Sequence, residues 1–330
     1  MDVVLFEAYL LPVLIAPVLL AWGAERFVDG ASALSHNLGV EPLMIGVLVM
    51  GFGTSLPELL VSLFASLTGN SGLALGNAYG SNILNIGVVL ALAALLSPVT
   101  VRNNVVKREL PLLLVATAIT AYVVSDMRLA RAEALVLLVL FVALLLYLSW
   151  DALRRGADRG GAGPEGEPGG PALSLGKSIG YLVFGLAVIA LSSAALVWGA
   201  RGIVSDLGVS EAVVAVMVLA LGTSIPELVV IVVAARRGKH ALAFGNVIGS
   251  NLFNTLAVIG TAGLIAPAVV GKELVSRDLP VMFAFTAALV VMAYGWGRRS
   301  GVINRVEGGI LLLAAAGYLA YLATLTPLFA

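Results

Sequence analysis

The sequence contains no cysteine. Disulfides, thiolate metal centres and a cysteine nucleophile are therefore excluded, and the redox compartment is left open. Histidine is nearly as scarce: the two are His36 and His240, both in stretches that read as loops, which argues against an imidazole-based metal or catalytic site. Charge is thin as well. Charged residues make up 12% of the chain, against about 25% in soluble domains. The 19 Lys and Arg cancel the 19 Asp and Glu, so no nucleic acid or other bulk polyanion is implied as a partner. No phosphate-cradling or nucleotide motif is visible, so ATP-driven pumping has no support, and no cofactor is expected. Hydrophobic residues, in contrast, are 60% of the 330 positions, and the mean hydropathy is +1.04.

Apolar runs long enough to cross a bilayer as helices recur along the whole chain. They do not alternate apolar and polar residues as barrel strands would, and backbone groups in lipid must be satisfied within a helix. Ten segments are predicted, near residues 5–27, 41–67, 72–97, 109–125, 132–150, 177–200, 210–235, 241–268, 279–297 and 306–326. Asp2 and Glu7, with no Lys or Arg nearby, are the opposite of a basic leader, so the first segment is expected to be a retained helix. Residues 151–176, rich in Gly, Pro and charge, read as a linker. It separates residues 1–150 from residues 177–330. With the N-terminus outside, 14 Lys and Arg fall in inside loops and 5 in outside loops. The positive-inside rule then puts both termini outside and the linker in the cytoplasm. The expected location is a cell membrane, with the bilayer itself as partner.

Residues 38–111 align with residues 207–280 at a constant offset of 169 without a gap. Gly53-Thr54-Ser55-Leu56-Pro57-Glu58-Leu59 matches Gly222-Thr223-Ser224-Ile225-Pro226-Glu227-Leu228. Gly76-Asn77, Gly80-Ser81-Asn82 and Asn85 match Gly245-Asn246, Gly249-Ser250-Asn251 and Asn254. An odd number of predicted crossings separates matching points, so the second copy enters from the opposite side. The fold class predicted is all-α integral membrane, with ten transmembrane helices as two inverted five-helix repeats, an architecture of secondary transporters.

Only Glu58 and Glu227 among the acidic residues lie well inside apolar spans, and they are repeat mates. Each costs about 2.5–3.5 kcal/mol at the bilayer centre on insertion scales. No Lys or Arg lies at that depth, so the pair requires protons or bound cations. Thr54 and Ser55 precede Glu58 by four and three residues, on its helical face, and Thr223 and Ser224 repeat this before Glu227. Pro57 and Pro226 remove backbone hydrogen bonds mid-span and free the carbonyls of Gly53 and Gly222. Ser81 and Asn85, with Ser250 and Asn254, are expected to line the same site. Asn77, Asn82, Asn246 and Asn251 are intramembrane too, with helix–helix hydrogen bonding as the alternative role. The donor set is all oxygen, which suits hard cations such as Ca²⁺ and Na⁺.

At these residues the sequence resembles the calcium/cation antiporter superfamily, in its sodium/calcium exchanger-like microbial branch. The paired Gly-Thr-Ser-x-Pro-Glu and Gly-Asn-x-x-Gly-Ser-Asn-x-x-Asn motifs carry the resemblance. It implies Glu58 and Glu227 as central Ca²⁺ ligands, with Thr54, Ser55, Ser81, Thr223, Ser224 and Ser250 completing Na⁺ sites. It also implies carbonyl ligands at the positions of Gly51 and Ala220, and a first and sixth helix that slide together. Several relatives carry Asp where this chain has Asn254, which removes a third possible charge. Gly80 and Gly249 offer no further Glu of the kind usual in the proton-coupled branch. The function expected is Na⁺/Ca²⁺ antiport, not enzymatic catalysis. A Ca²⁺/H⁺ or other cation antiporter is the alternative, with a cation channel and a non-transporting scaffold behind it. Oligomeric state is not readable.

Overall fold

The computed structural model describes residues 3–101, 103–158, 171–206, 222–294 and 301–325. The chain is helical almost throughout, and its breaks follow from its prolines and glycines. The first helix, α1 (Val3–Leu38), reaches well past the apolar run that ends near residue 27. Its last turns carry Glu25, Asp29 and His36; the two acids continue the helix because Arg237 pairs with both. Gly39, at φ 63°, then turns the chain, a conformation that glycine adopts without steric cost.

The next span is broken. It comprises α2 (Pro42–Ile45), a π-helical turn (Gly46–Met50), α3 (Gly51–Thr54) and α4 (Leu56–Leu67). Ser55, at φ −88° and ψ 7°, interrupts it, with Pro57 in the first turn of α4, where a missing N–H costs little. The two parts meet at a bend of 43°. Then come α5 (Ser71–Leu84), a π-helical segment (Asn85–Leu90) and α6 (Ala91–Leu96), followed by β1 (Val99–Val101), α7 (Asn103–Val123), β2 (Arg128–Leu129) and α8 (Arg131–Asp158).

After residues outside the described set, α9 covers Leu175–Asp206. The seventh predicted segment, residues 210–235, is described only from residue 222 onward, ending in α10 (Ile225–Arg236). It is followed by α11 (His240–Leu252), a π-helical segment (Phe253–Val258), α12 (Ile259–Ile265), β3 (Ala268–Val269), a π-helical turn (Leu274–Asp278), α13 (Leu279–Ala293), β4 (Gly301–Ile303) and α14 (Arg305–Leu325).

Among the described residues, seven helical stretches are long and apolar enough to cross a membrane, and the bent pair makes an eighth. Three local expectations are corrected. His36 sits in the last turn of α1 and His240 opens α11, so neither is in a loop. The segment predicted to begin near residue 109 begins earlier, at Asn103, so Arg108 and Pro111 lie inside α7. Residues 151–158, expected to begin the linker, continue α8.

The offset of 169 carries α4 onto α10 end for end. α5 runs antiparallel to its counterpart: its first residue, Ser71, donates through Oγ to the carbonyl of Ala266, just past α12, at 3.0 Å. Two short antiparallel ribbons join the halves. β1 pairs with β4, beyond the end of α6, and β2 pairs with β3, beside the start of α5. The main buried apolar core holds α5, α11, one face of α1 and the segments between, while large exposed hydrophobics stud α8, α9, α14 and the other face of α1, the surfaces left for lipid.

Candidate functional site

The first broken helix meets α11 because glycines let their backbones touch. A Cβ on Gly46 would lie 2.7 Å from the carbonyl oxygen of Leu242, and one on Gly51 would lie 2.6 Å from the amide nitrogen of Ser250. Small residues at such seams allow close helix approach. The seam sets α3 of the first half directly on α11 of the second.

That contact assembles the side chains. Thr54 Oγ1 donates to Asn246 Oδ1 at 3.1 Å and lies 3.3 Å from Ser250 Oγ. Ser250 Oγ donates to the Gly51 carbonyl at 3.2 Å. Ser55 Oγ donates to Glu227 Oε1 at 3.2 Å, and Ser81 Oγ to Glu58 Oε1 at 3.4 Å. Thr223 stands beside the Glu58 carboxylate, and Thr54 beside that of Glu227. Thr54, Ser55 and Thr223 therefore face the carboxylate of the other half, whereas Ser81 serves the carboxylate of its own.

Both carboxylates are fully buried, and they are close enough to repel each other. The second oxygen of each, Oε2, has no hydrogen-bond partner. Leaving a buried polar oxygen unpaired costs about 1–3 kcal/mol, more when it is charged. The pair has the make-up of a cation cage: excess negative charge, oxygen donors, and lone pairs left open.

All the predicted site residues but one can now be placed. Glu58, Glu227, Thr54, Ser55, Thr223, Ser81, Ser250 and the Gly51 carbonyl come together as described. Ser224 is buried, and its Oγ has no hydrogen-bond partner. Asn85 Nδ2 donates to Asn251 Oδ1 at 3.2 Å, leaving Asn85 Oδ1 unpartnered, and both polar atoms of the buried Asn254 side chain are unpartnered. Ala220 lies outside the described residues. The Gly222 carbonyl, freed by Pro226, accepts from Ser193 Oγ of α9 at 3.3 Å.

Two residues outside the ligand set matter more than sequence reasoning gave them. Asn246 is bonded to Thr54 within the site. Asn77 Nδ2 donates to the backbone carbonyl of Glu58 and to Ser62 Oγ, both at 3.2 Å, and so fixes the first carboxylate from behind. Their shared place in the two Gly-Asn motifs was the signal.

The helix pair α1 and α9 lies over both Gly-Thr-Ser turns. A Cβ on Gly53 would meet Leu186 of α9 at 3.2 Å, and one on its repeat mate Gly222 would meet Val197 of α9 at 2.9 Å. The pair itself is knit by glycine. A Cβ on Gly185 would lie 2.6 Å from the Phe27 amide nitrogen, and one on Gly30 would lie 2.7 Å from that of Leu182.

Comparison with known proteins places the chain in a family. The family described as sodium/calcium exchanger protein matches residues 9–150 and 177–324. The putative antiporter CaxA of Alkalimonas amylolytica is 41% identical over 309 residues, covering 93% of this chain and 96% of its own. Sodium/calcium exchanger MaX1 of Methanosarcina acetivorans is 31% identical, covering 94% of this chain and 97% of its own. A solved structure of the sodium-calcium exchanger NCX_Mj, soaked with Na⁺ and Sr²⁺, superposes with a TM-score of 0.81 at 29% identity, over 96% of this chain and 98% of that one. The chain is thus a multi-pass membrane protein that belongs to the sodium/calcium exchanger family of cation antiporters, not to a family of enzymes.

Proposed function

We propose that the protein exchanges Na⁺ for Ca²⁺ at one shared site built on Glu58 and Glu227. The observation that carries this reading is the facing carboxylate pair: repeat mates, buried, bonded by hydroxyls, each with an open oxygen. One Ca²⁺ balances both charges. Na⁺ ions balance them instead, using Thr54, Ser55, Ser81, Thr223, Ser224 and Ser250 as neutral donors, with the Gly51 carbonyl and its counterpart at Ala220. Asn85 and Asn254 line the same polar interior.

Coupling follows from electrostatics. An empty site leaves two like charges unpaired in a medium of low dielectric, where interactions are several times stronger than in water. Moving a charged, empty site between faces is disfavoured, so the protein reorients loaded with one ion or the other. α1 and α9, knit together and resting on both Gly-Thr-Ser motifs, are suited to slide as one body and uncover the site from either side.

Several observations support the ten-helix inverted repeat: the shared element boundaries, the antiparallel course of α5 and the span formed by its counterpart α11 and α12, and the paired ribbons between residues 1–150 and 177–330. The distribution of Lys and Arg supports outside termini and a cytoplasmic linker over residues 151–176. The test is Ca²⁺ uptake into proteoliposomes loaded with Na⁺ and diluted into Na⁺-free buffer at clamped pH. Uptake that requires internal Na⁺ is expected. Uptake that follows an imposed pH gradient and ignores Na⁺ would move the chain to proton coupling.

A further inference from the structure

The ion pairs at one end of α1 have no part in the cation site. Glu25 and Asp29 are four residues apart on α1 and share a face. Arg237, just past the end of α10, reaches both: Nη2 lies 3.1 Å from Glu25 Oε1, and Nη1 donates to Asp29 Oδ1 at 2.9 Å. Gly238 at φ 70° turns the chain, and Lys239 then donates through Nζ to Ser32 Oγ, a further turn along α1, at 2.7 Å. A cation at a helix C-terminus also meets the negative end of its dipole. Two residues of the core half, Arg237 and Lys239 on either side of Gly238, thus grip one end of the α1–α9 pair.

The grip is one-sided in sequence. The repeat mates of Arg237 and Lys239 are Thr68 and Asn70. Where the Trp-Gly-Ala runs of α1 and α9 match, Glu25 corresponds to Arg201. At the matching sequence positions the second copy of the contact therefore has neither the two cations nor the two acids: Thr68 and Asn70 stand for Arg237 and Lys239, and Arg201 and Ser205 for Glu25 and Asp29.

We propose that Arg237, with Glu25 and Asp29, is a latch that holds the linker-side end of α1 closed against α10 and so biases the exchanger toward opening on the other side. This rests on the alternating-access reading above, because a latch on one end changes transport only if the pair moves. Exposed ion pairs shift an equilibrium by about 1.5- to 5-fold each, so two together give about 2- to 30-fold. The exchanger would then bind ions asymmetrically from its two faces, although its site is nearly symmetric.

The chain has no cysteine, so H36C with R236C, both at exposed positions beside the latch, carries a clean pair of spin labels. One short distance is expected in the otherwise unaltered chain. In R237Q a longer-distance population grows about 2- to 30-fold, and R237E combined with E25R and D29R restores the short one. In proteoliposomes, R237Q lowers half-saturating Ca²⁺ on the linker side and raises it on the other. A distance unchanged in R237Q overturns the latch, as does a change that the charge-exchanged variant fails to reverse, since the effect is then packing rather than charge. The distance needs no transport. If labels move but no Na⁺-driven uptake occurs in the unaltered chain, the antiport reading falls and the latch stands; uptake with unmoved labels gives the reverse.

Discussion

Replacing Glu58 with Gln tests the carboxylate pair through a difference between ions. The two residues are nearly isosteric, and the hydrogen bond that Glu58 Oε1 accepts from Ser81 at 3.4 Å is one that an amide oxygen also accepts. What is lost is charge. Unit charges about 4 Å apart attract by about 4 kcal/mol at an effective dielectric of about 20. Ca²⁺ loses about twice as much as Na⁺, so selectivity falls by about 4 kcal/mol, close to three decades. Relief of repulsion between Glu58 and Glu227 in the empty site offsets part of this, so an affinity loss of about 100-fold for Ca²⁺ is the conservative expectation. The assay is thermal unfolding in detergent under Ca²⁺ titration. Ca²⁺ at about 100 times its Kd stabilises by about 2.7 kcal/mol; a 100-fold weaker variant gains only about 0.4 kcal/mol at the same concentration. The Ca²⁺-dependent shift should therefore fall to about a sixth, with the ion-free variant at least as stable as the unaltered chain because one buried charge is gone. Glu227→Gln should behave alike. A Ca²⁺ shift of undiminished size in either variant would show that the paired charges do not hold the ion.

Gly51→Ala places a methyl 2.6 Å from the Ser250 amide nitrogen; overpacking of about 1–3 kcal/mol is expected, seen as a lower melting temperature and lost uptake. Gly76→Ala, whose Cβ would meet nothing within 4 Å, should leave both intact. Thr54→Val removes the hydroxyl that binds Asn246 and Ser250; about 1 kcal/mol of lost hydrogen bonding predicts a half-saturating Na⁺ raised about 5-fold in uptake assays. Asn254→Asp adds a third carboxylate to the Glu58–Glu227 interior, where both amide atoms are now unpartnered; the dependence of uptake on Na⁺ should steepen as one more cation is drawn in.

The site was more legible than the fold around it. Glu58 and Glu227 stood out because carboxylates are costly in apolar spans, and Pro57 announced the break that Ser55 makes. The contact of Thr54 with Asn246 was not readable, because it depends on the glycine seam between halves far apart in sequence. The π-helical segments at Gly46–Met50, Asn85–Leu90 and Phe253–Val258 were missed too. Each adds a residue to a turn without altering composition, and such turns often sit at functional sites. The two ribbons are only two or three residues per strand, too short for an alternation to register. The extension of α1 to Leu38 was hidden because its charges read as a helix end, whereas Arg237 and Lys239 pair with that stretch.

Exchange by competition requires that Na⁺ and Ca²⁺ share one site. Ca²⁺ binding to the purified protein, measured calorimetrically at a series of Na⁺ concentrations and constant ionic strength, puts that requirement to the test without relying on transport. A shared site gives an apparent Kd that climbs without limit as Na⁺ rises, steeper than first order because more than one Na⁺ replaces each Ca²⁺. An apparent Kd that levels off, or does not respond to Na⁺, would mean that the two ions bind at separate places and that competition at Glu58 and Glu227 is not the basis of exchange.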